Sequence, residues 1–399
     1  MDAGFQTGAQ MKKMFYPFSF YFLLYAWMAS FAPFMVLYYQ QLNFSGAQIG
    51  ILTGVPPLLT LAAAPFLTGI ADRTRRHHLL LGVGLIVAAI TTSTLTMLNG
   101  FTAIFILVMT FNIFFAPVSS LSDSAVMFML GEERSKYGRI RLGGTLGWGV
   151  FAQIAGLLLY TYGLKVLFYV CTGIMLLTFI TSRVLVFGKK EEHAPAERGS
   201  MRTFLTNRRW VFFLLSVLIG GLGAISVSSY LSPYLKELGA NGKQIGFALT
   251  SATLTELPVF FFGNYFVKRF KPDRLITVAL ILICARTLLF GIVNSILLAT
   301  LVQCIGGLFF PLMWSAGVNY ADENAPAGLK STAQGILGTA TFGIGSSVGG
   351  LICGPLLGSL GGRGMFFTLG IIMTVGLGLV ELLKRILPEK PIPQPLPSD

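Results

Sequence analysis

The sequence predicts an all-α membrane protein with twelve transmembrane helices in two pseudo-symmetric six-helix bundles. The first observation is the composition: of 399 residues, 54% are hydrophobic and only 11% are charged. Soluble domains carry about 25% charged residues, so most of the polar surface that normally faces water is absent. A disordered chain is also excluded, because the apolar fraction is too high. The second observation is that the charges leave long uncharged runs, and the third is a motif that recurs in both halves of the chain. An ordinary soluble enzyme is therefore excluded.

Long uncharged runs define the helices in order. No charged residue lies between Lys13 and Asp72. A helix needs about 20 apolar residues to cross the hydrocarbon core, so this run holds two spans, divided by the turn-forming residues at 43–46. The next uncharged run is divided in the same way at 99–100. The twelve predicted spans lie near 16–42, 48–70, 79–98, 101–129, 138–161, 164–186, 209–231, 244–266, 273–293, 295–320, 331–358 and 364–386.

Positive charge is distributed unevenly between the two sides of the membrane. An even number of spans puts both termini on one side, and 23 of the 29 Lys and Arg residues lie on that side. Four lie on the opposite side and two lie within spans. Because Lys and Arg are retained in the cytoplasm, we expect a multi-pass protein of the cell membrane with both termini cytoplasmic. This distribution also accounts for the net charge of +13, so no nucleic-acid partner is predicted.

The chain divides into two similar halves. The only long polar stretch in its interior runs from Lys189 to Arg208, with six predicted spans on each side. The motif Gln-Ile-Gly opens the second span at 48–50 and the eighth span at 244–246. Parallel six-helix repeats of this kind bind a solute at the repeat interface near mid-membrane. The predicted domains are an N-terminal bundle at 1–187, a cytoplasmic linker at 188–208, a C-terminal bundle at 209–387 and a Pro-rich disordered tail at 388–399.

Away from the span ends, four ionisable residues lie inside predicted spans, where a charge is costly and by default marks a functional site, and Arg139 and Glu381 lie near a boundary. Asp123 and Arg141 lie nine residues before and nine residues after the turn between spans 4 and 5. Glu256 and Arg286 lie fifteen residues before and after the turn between spans 8 and 9. Because the helical rise is constant, each half offers an acid and an arginine at matched depth. A static brace gains little net stability after desolvation, which favours pairs that open and re-form around a ligand.

Polar side chains around the first pair favour binding of a small polar organic solute. Thr145 and Trp148 follow Arg141 at i+4 and i+7, on one face of the helix. Asn112 shares a stripe with Asp123, since eleven residues make almost three helical turns. A guanidinium, a hydroxyl and an indole on one stripe can hold a polar ring by hydrogen bonding and stacking.

Catalytic and metal sites are not predicted. All three histidines lie in predicted cytoplasmic loops, and no nucleophile–base pair or pair of catalytic carboxylates is evident. A membrane-embedded enzyme and a receptor-like sensor are therefore the least favoured classes, and no cofactor is expected. The cysteines lie in apolar runs without metal-ligand spacing, as expected for small buried hydrophobic residues. They are Cys171, Cys284, Cys304 and Cys353.

The loop after the second span carries the motif of a known family. It reads Asp72-Arg73-Thr74-Arg75-Arg76. Together with twelve spans in two halves, this loop resembles the major facilitator superfamily, whose members are transporters of parallel six-helix repeats. The resemblance implies a cytoplasmic gating motif at Asp72, Arg73 and Arg76. Thr68 and Arg75 stand where the superfamily pattern usually has glycine.

The segment from Asp123 to Trp148 resembles the oligosaccharide–proton symporters, the lactose permease group. In that group a span-4 carboxylate and a span-5 arginine bind the sugar and a tryptophan stacks on it. The resemblance implies these roles for Asp123, Arg141 and Trp148, and a monomeric transporter driven by the proton gradient. The run 112–117 and the pair in spans 8 and 9 resemble the phenylpropionate permeases.

One departure concerns proton coupling. Before Pro311 this sequence has Gly306 and Phe309, where the lactose permease group has a His and a Glu that take part in coupling. Coupling or gating is therefore expected to depend mainly on Glu256 with Arg286, or on Asp123. A sugar or oligosaccharide is the favoured solute, while an aryl carboxylate, a nucleoside and an uncoupled uniport mechanism remain open.

Overall fold

The computed structural model describes residues 2–188, 207–326 and 329–387, and within these ranges the chain is helical with no β-strand. Helices are expected because lipid offers no partner for backbone polar groups, which must then bond within their own segment. Short 3₁₀ turns (Ala32–Phe34, Gly131–Lys136) and a π-helical turn (Thr339–Gly345) connect some of the helices. The α-helices are α1 (Asp2–Phe31), α2 (Met35–Gln41), α3 (Gly46–Thr74), α4 (His77–Leu95), α5 (Phe101–Phe115), α6 (Val118–Leu130), α7 (Tyr137–Ser182), α8 (Arg208–Glu237), α9 (Gly242–Arg269), α10 (Pro272–Ile292), α11 (Ile296–Asn324), α12 (Lys330–Gly338) and α13 (Ser346–Ile386).

The lengths of the helices agree with a membrane protein. Nine helical segments in the described ranges are long and apolar enough to cross a bilayer. Two of them, Tyr137–Ser182 with 46 residues and Thr332–Ile386 with 55, are each long enough for two crossings. Both are interrupted at a glycine with positive φ, Gly163 at 81° and Gly361 at 69°. The predicted all-α membrane fold is confirmed, and the number of twelve spans stays a prediction.

The recurring Gln-Ile-Gly motif initiates a helix in the same way at both places. At the start of α3, the Ser45 amide donates to Gln48 Oε1 at 2.9 Å and the Gln48 amide donates to Ser45 Oγ at 3.3 Å. At the start of α9, Asn241 and Gln244 make the same reciprocal bonds at 3.0 and 3.1 Å. Each pair satisfies two backbone donors that a helix start would otherwise leave unpaired. The glutamine of the motif is therefore the distal half of a capping box.

The chain divides by its contacts into two compact units. Unit 1 comprises Met1–Phe44, Leu58–Lys190 and Gly239–Thr253. Unit 2 comprises Ser45–Pro57, Glu191–Leu238 and Leu254–Asp399. The predicted tail at 388–399 and nearly all of the predicted linker at 188–208 lie outside the described residues, so the predicted domain boundaries stay predictions.

The glycine of the motif allows a close helix approach within each unit. In unit 1, a Cβ at Gly246 would lie 2.8 Å from the carbonyl oxygen of Ala152 in α7. In unit 2, a Cβ at Gly50 would lie 3.0 Å from Cδ of Pro355 in α13. Small residues let helix backbones approach closely where apolar burial alone does not drive association. The first turns of α3 and α9 are thus built alike, with one glutamine for capping and one glycine for packing.

Candidate solute-binding site

Asp123 of unit 1 is half-buried on α6 and accepts two phenol hydrogen bonds. The Tyr137 hydroxyl, from the first residue of α7, donates to Asp123 Oδ1 at 3.0 Å. The Tyr21 hydroxyl, from α1, donates to the same oxygen. A carboxylate that accepts O–H donors from two other helices is oriented by them, and its second oxygen makes no hydrogen bond with a described residue.

Arg141 is half-buried in the second turn of α7 and lies across two aromatic rings. Its Nη2 donates to the Tyr25 hydroxyl. Its Cζ lies 4.2 Å from the centre of the Tyr25 ring and 5.1 Å from that of Tyr21. A Cβ at Gly144 would lie 2.6 Å from Arg141 Nη1 and 3.0 Å from the Tyr25 ring. Glycine at 144 therefore leaves the space in which the guanidinium packs against Tyr25.

Tyr21 connects the two charges that the sequence placed at matched depth. Its hydroxyl donates to Asp123 and its ring lies beneath Arg141. Within the described residues, the carboxylate and the guanidinium do not form a direct ion pair. We call the five residues Tyr21, Tyr25, Asp123, Tyr137 and Arg141 the tyrosine-bridged cluster. It presents an acceptor, a cation and several phenol groups to one place, which suits recognition of a hydroxyl-rich solute.

The other predicted solute contacts lie near this cluster in sequence and differ in how they are engaged. Thr145 and Trp148, one and two turns after Arg141, are half-buried, and neither side chain donates a hydrogen bond to a described residue. The Asn112 amide donates to the Val108 carbonyl of its own helix at 2.8 Å. The stripe expected to run from Asn112 to Asp123 crosses an interruption between α5 and α6, since Pro117 has no N–H to continue the helical bonding. The binding roles of these residues stay predictions.

Arg286 of unit 2 is enclosed. It lies on α10 with 5% of its surface exposed, and its Nη2 donates to Gln303 Oε1 on α11. Its Nε is buried without a hydrogen-bond partner among the described residues. A Cβ at Gly306 would lie 2.5 Å from Arg286 Cζ, so only glycine leaves room for the guanidinium there. We call Arg286, Gln303 and Gly306 the buried-arginine cluster.

Glu256 is half-buried on α9. The preceding residue, Thr255, donates to the Cys304 carbonyl of α11 at 2.8 Å. Since Cys304 follows Gln303 in the chain, this bond brings the helix that carries Glu256 to the edge of the buried-arginine cluster. The coupling role predicted for Glu256 with Arg286 stays a prediction.

The chain was compared with known proteins. A family model described as the MFS_1 like family matches residues 18–368. The chain belongs to this family. The expected major facilitator fold is therefore confirmed, and the protein is a multi-pass membrane transporter of a small-molecule solute.

Relatives and solved structures agree with this assignment. A maltose permease of Geobacillus stearothermophilus is 28% identical over 392 residues, covering 96% of this chain and 98% of the relative. A xanthosine permease of Escherichia coli K12 is 22% identical, covering 84% of each chain. The crystal structure of the nucleoside transporter NupG has a TM-score of 0.81 at 15% identity, covering 94% of this chain and 99% of that one, and shows the same fold.

In the loop after α3, one departure from the superfamily pattern lies at a backbone position that favours glycine. Arg75 stands where that pattern has glycine, and its φ is +56°, in the left-handed region that glycine adopts most readily. Asp72 Oδ1 lies 2.9 Å from His77 Nε2, and the His77 ring stacks on Phe187 at 5.3 Å between centroids. Arg73 and Arg76 are exposed, and their gating role stays a prediction.

Several residues of the two clusters are uncharged and therefore cannot be predicted from charges within the spans. The three tyrosines are uncharged. Tyr21 and Tyr25 lie far from Asp123 and Arg141 in the sequence, and Tyr137 is separated from Asp123 by a turn. Gln303 is an amide in a predicted span, and buried amides are also costly unless paired. A search for every buried hydrogen-bonding group in spans, rather than for charges alone, would have singled out Gln303.

Within the described residues, no group of three or more His, Cys, Asp or Glu side chains converges as a metal site.

Proposed function

We propose that this transporter moves a sugar or oligosaccharide across the cell membrane by alternating access, coupled to a proton as a symporter. We place both termini in the cytoplasm on the asymmetry of Lys and Arg. The proposed protein acts as a monomer, needs no cofactor, performs no enzymatic reaction and draws its energy from the proton gradient.

The observation that carries the proposal is the tyrosine-bridged cluster. Asp123 offers carboxylate acceptors and Arg141 offers guanidinium donors, and both are oriented by tyrosines. Vicinal sugar hydroxyls donate and accept at once, so they can bridge the two groups. Trp148, two turns along α7, supplies an apolar ring face for the C–H face of a sugar, and Thr145 supplies a hydroxyl between them.

The similarity to a maltose permease over 96% of the chain supports a sugar as the solute class. A nucleoside is the second candidate, since a xanthosine permease is 22% identical and a nucleoside has a ribose for Asp123 and a base for Trp148. An aryl carboxylate anchored by Arg141 is the third candidate. These classes differ in charge and in hydroxyl content, so transport assays can separate them.

Proton coupling is proposed to depend on Glu256 with Arg286. Glu256 is an acid in a helix that the sequence predicts to span the membrane, and such residues mark ion pathways. Arg286 is a fixed cation next to Gln303. Protonation of Glu256 would then change the charge balance of unit 2 once in each transport cycle.

The experiment reconstitutes the full chain in vesicles and adds a panel of sugars, nucleosides and aryl carboxylates. Uptake of labelled solute identifies the class, and a pH electrode follows the external medium. We expect external alkalinisation that accompanies uptake of one sugar class. Glu256→Gln should abolish the pH change, while Glu323→Gln, which alters an acid in the last turn of α11, should leave the pH change intact.

Three outcomes would contradict the proposal in different parts. Uptake of a nucleoside or an aryl carboxylate, but no sugar, would contradict the solute class. Sugar uptake without a pH change would make the protein a uniporter and would remove the coupling role of Glu256. Detection of a chemically altered solute inside the vesicles would contradict a pure transport function.

A further inference from the structure

A charged cavity of about 500 Å³ lies within unit 2, apart from both clusters described above. The cavity lies among the ends of α8, α10, α11 and α13, and its charged residues are in their first or last two turns, so it is at the boundary of the membrane. It is on the side that the Lys and Arg asymmetry makes cytoplasmic. The charged and phenol side chains in its wall are Arg209, Arg274, Lys384, Asp273, Glu381 and Tyr320.

Two of the three cations in the wall are neutralised by the two carboxylates. Arg209 Nη2 lies 3.3 Å from Asp273 Oδ2, and Lys384 Nζ lies 2.7 Å from Glu381 Oε1. The Arg274 guanidinium makes no ion pair or hydrogen bond with a described residue, and the side chain is exposed. The wall therefore carries one positive charge in excess.

The tyrosine in the wall keeps a second guanidinium in place. Arg209 Nε donates to the Tyr320 hydroxyl at 3.1 Å, and the Tyr320 ring packs on Phe213 at 4.3 Å between centroids. Arg209 is thus held from two sides and presents a fixed donor group. A fixed guanidinium in the same wall as an exposed one, that of Arg274, can hold the oxygens of a phosphate by several charge-assisted hydrogen bonds.

An aliphatic stripe leads from the cavity along α10. Val278 follows Arg274 at i+4 and lines the cavity, and Ile281 follows at i+7. Val278 is 49% exposed and Ile281 is 54% exposed, although both lie in a span. In a membrane protein an exposed aliphatic residue of a span contacts lipid chains. The cavity therefore joins a positively charged site to a surface suited to hydrocarbon.

We propose that this cavity binds the phosphate group of an anionic phospholipid, with Arg274 as the main contact and Arg209 and Lys384 beside it. Basic pockets between transmembrane helices on the cytoplasmic side bind such headgroups. The apolar stripe favours a lipid over a soluble phosphate ester, because the lipid chains gain contact that a soluble ester cannot make. The proposal does not depend on which solute is transported.

The test is native mass spectrometry of the purified, delipidated full chain with added phosphatidylglycerol or phosphatidylcholine of the same chain length. We expect preferential retention of phosphatidylglycerol. Arg274→Gln should reduce its retention about fivefold, the effect of one basic residue near an anionic lipid surface. The matched control is Arg385→Gln, which removes an exposed cation next to Lys384 that does not line the cavity and should leave retention unchanged.

A parallel titration with soluble glycerol phosphate distinguishes the two sources of phosphate. We expect it to bind far more weakly than the lipid. Saturation by glycerol phosphate in an Arg274-dependent manner, without retention of phosphatidylglycerol, would overturn the assignment to a lipid. Equal retention of the two lipids, or equal losses in Arg274→Gln and Arg385→Gln, would overturn the site itself. Because Arg274 is exposed, both variants are expected to fold, which a thermal unfolding curve checks.

Discussion

The two intramembrane arginines, one in each unit, are surrounded very differently. Arg141 is half-buried against the rings of Tyr21 and Tyr25 and reaches Asp123 through Tyr21. Arg286 is 5% exposed and donates to the neutral amide of Gln303. For each arginine, counting residues from the neighbouring turn predicts the same depth in the membrane as for an acid on the adjacent span. The depth of an arginine in the membrane marks a costly charge, while its neighbours decide whether that charge is presented to a ligand or enclosed by the protein.

Each arginine also lies against a glycine whose Cβ would intrude on it, at Gly144 and Gly306. The same substitution can therefore be made beneath both guanidinium groups. If the two environments differ as described, alanine beneath the enclosed arginine should affect folding, while alanine beneath the half-buried arginine should affect solute binding.

The largest expected effect on stability is that of Gly306→Ala. The added methyl group would lie 2.5 Å from Arg286 Cζ, so the guanidinium would have to shift within a site where Arg286 is only 5% exposed. Overpacking a well-packed site costs about 1–3 kcal/mol, so we expect a lower unfolding temperature in detergent. Gly338→Ala is the control, because nothing lies within 4 Å of its Cβ position. Equal unfolding temperatures for the two variants would show that Arg286 is not tightly enclosed.

Gly144→Ala should weaken solute binding with a smaller effect on folding. Its Cβ would meet Arg141 Nη1 at 2.6 Å, which displaces the end of a flexible side chain from Tyr25. Loss of one well-placed hydrogen bond from a charged donor is worth about 1.5–3 kcal/mol, or at least about tenfold in affinity. The measurement is equilibrium binding of the transported solute. Gly138→Ala, on the same helix with open space around its Cβ position, should bind normally.

The capping boxes test how alike the two halves are. Gln48→Ala and Gln244→Ala each remove the side chain that accepts from the preceding cap residue. Each should lower stability by about 0.5 kcal/mol, measured by thermal unfolding, because one capping interaction is lost. A clear loss of stability in only one of the two variants would show that the motif contributes differently to folding in the two halves.

The smallest expected effect concerns the loop after α3. Arg75 has a left-handed backbone conformation, which costs a residue with a side chain about 1–2 kcal/mol of folding free energy, and Arg75→Gly removes this cost. Glycine in turn lowers stability by about 0.5–1 kcal/mol, because it has more conformational freedom in the unfolded state. We expect the unfolding temperature to stay the same or rise slightly. Arg76→Gly, at a residue with φ of −101°, has no strain to relieve and should be the less stable of the two. The reverse order would contradict the assignment of strain to Arg75.

Composition and charge spacing were sufficient for the fold because lipid restricts a spanning chain to a small set of structures. The uncharged run between Lys13 and Asp72 already requires apolar helices, and it contains α2 and most of α1 and α3. The capping boxes could also be read from sequence, since Ser45 and Gln48 have the spacing of that motif. The break of α7 at Gly163 could be read as well, because it lies between the predicted spans 138–161 and 164–186, where Tyr162, Gly163 and Lys165 interrupt the apolar run.

The candidate site was only partly accessible from the sequence. Counting residues from a turn gives the depth of Asp123 and Arg141, but not the direction in which each side chain points. That direction decides whether an acid meets an arginine or a tyrosine, and here Tyr21 lies between them. Gln303 was missed because a neutral amide has the same effect on a charge count as an alanine.

We propose that the tyrosine-bridged cluster binds the transported solute. The test is equilibrium binding of labelled solute to purified Arg141→Gln and Arg139→Gln, beginning with a disaccharide. Arg139 is an exposed cation two residues before Arg141 on the same helix, so the two variants change net charge equally. We expect at least about a tenfold loss of affinity for Arg141→Gln and none for Arg139→Gln, since one charged hydrogen bond is worth about 1.5–3 kcal/mol. Binding by Arg141→Gln with unchanged affinity would rule out a solute-binding role for this cluster.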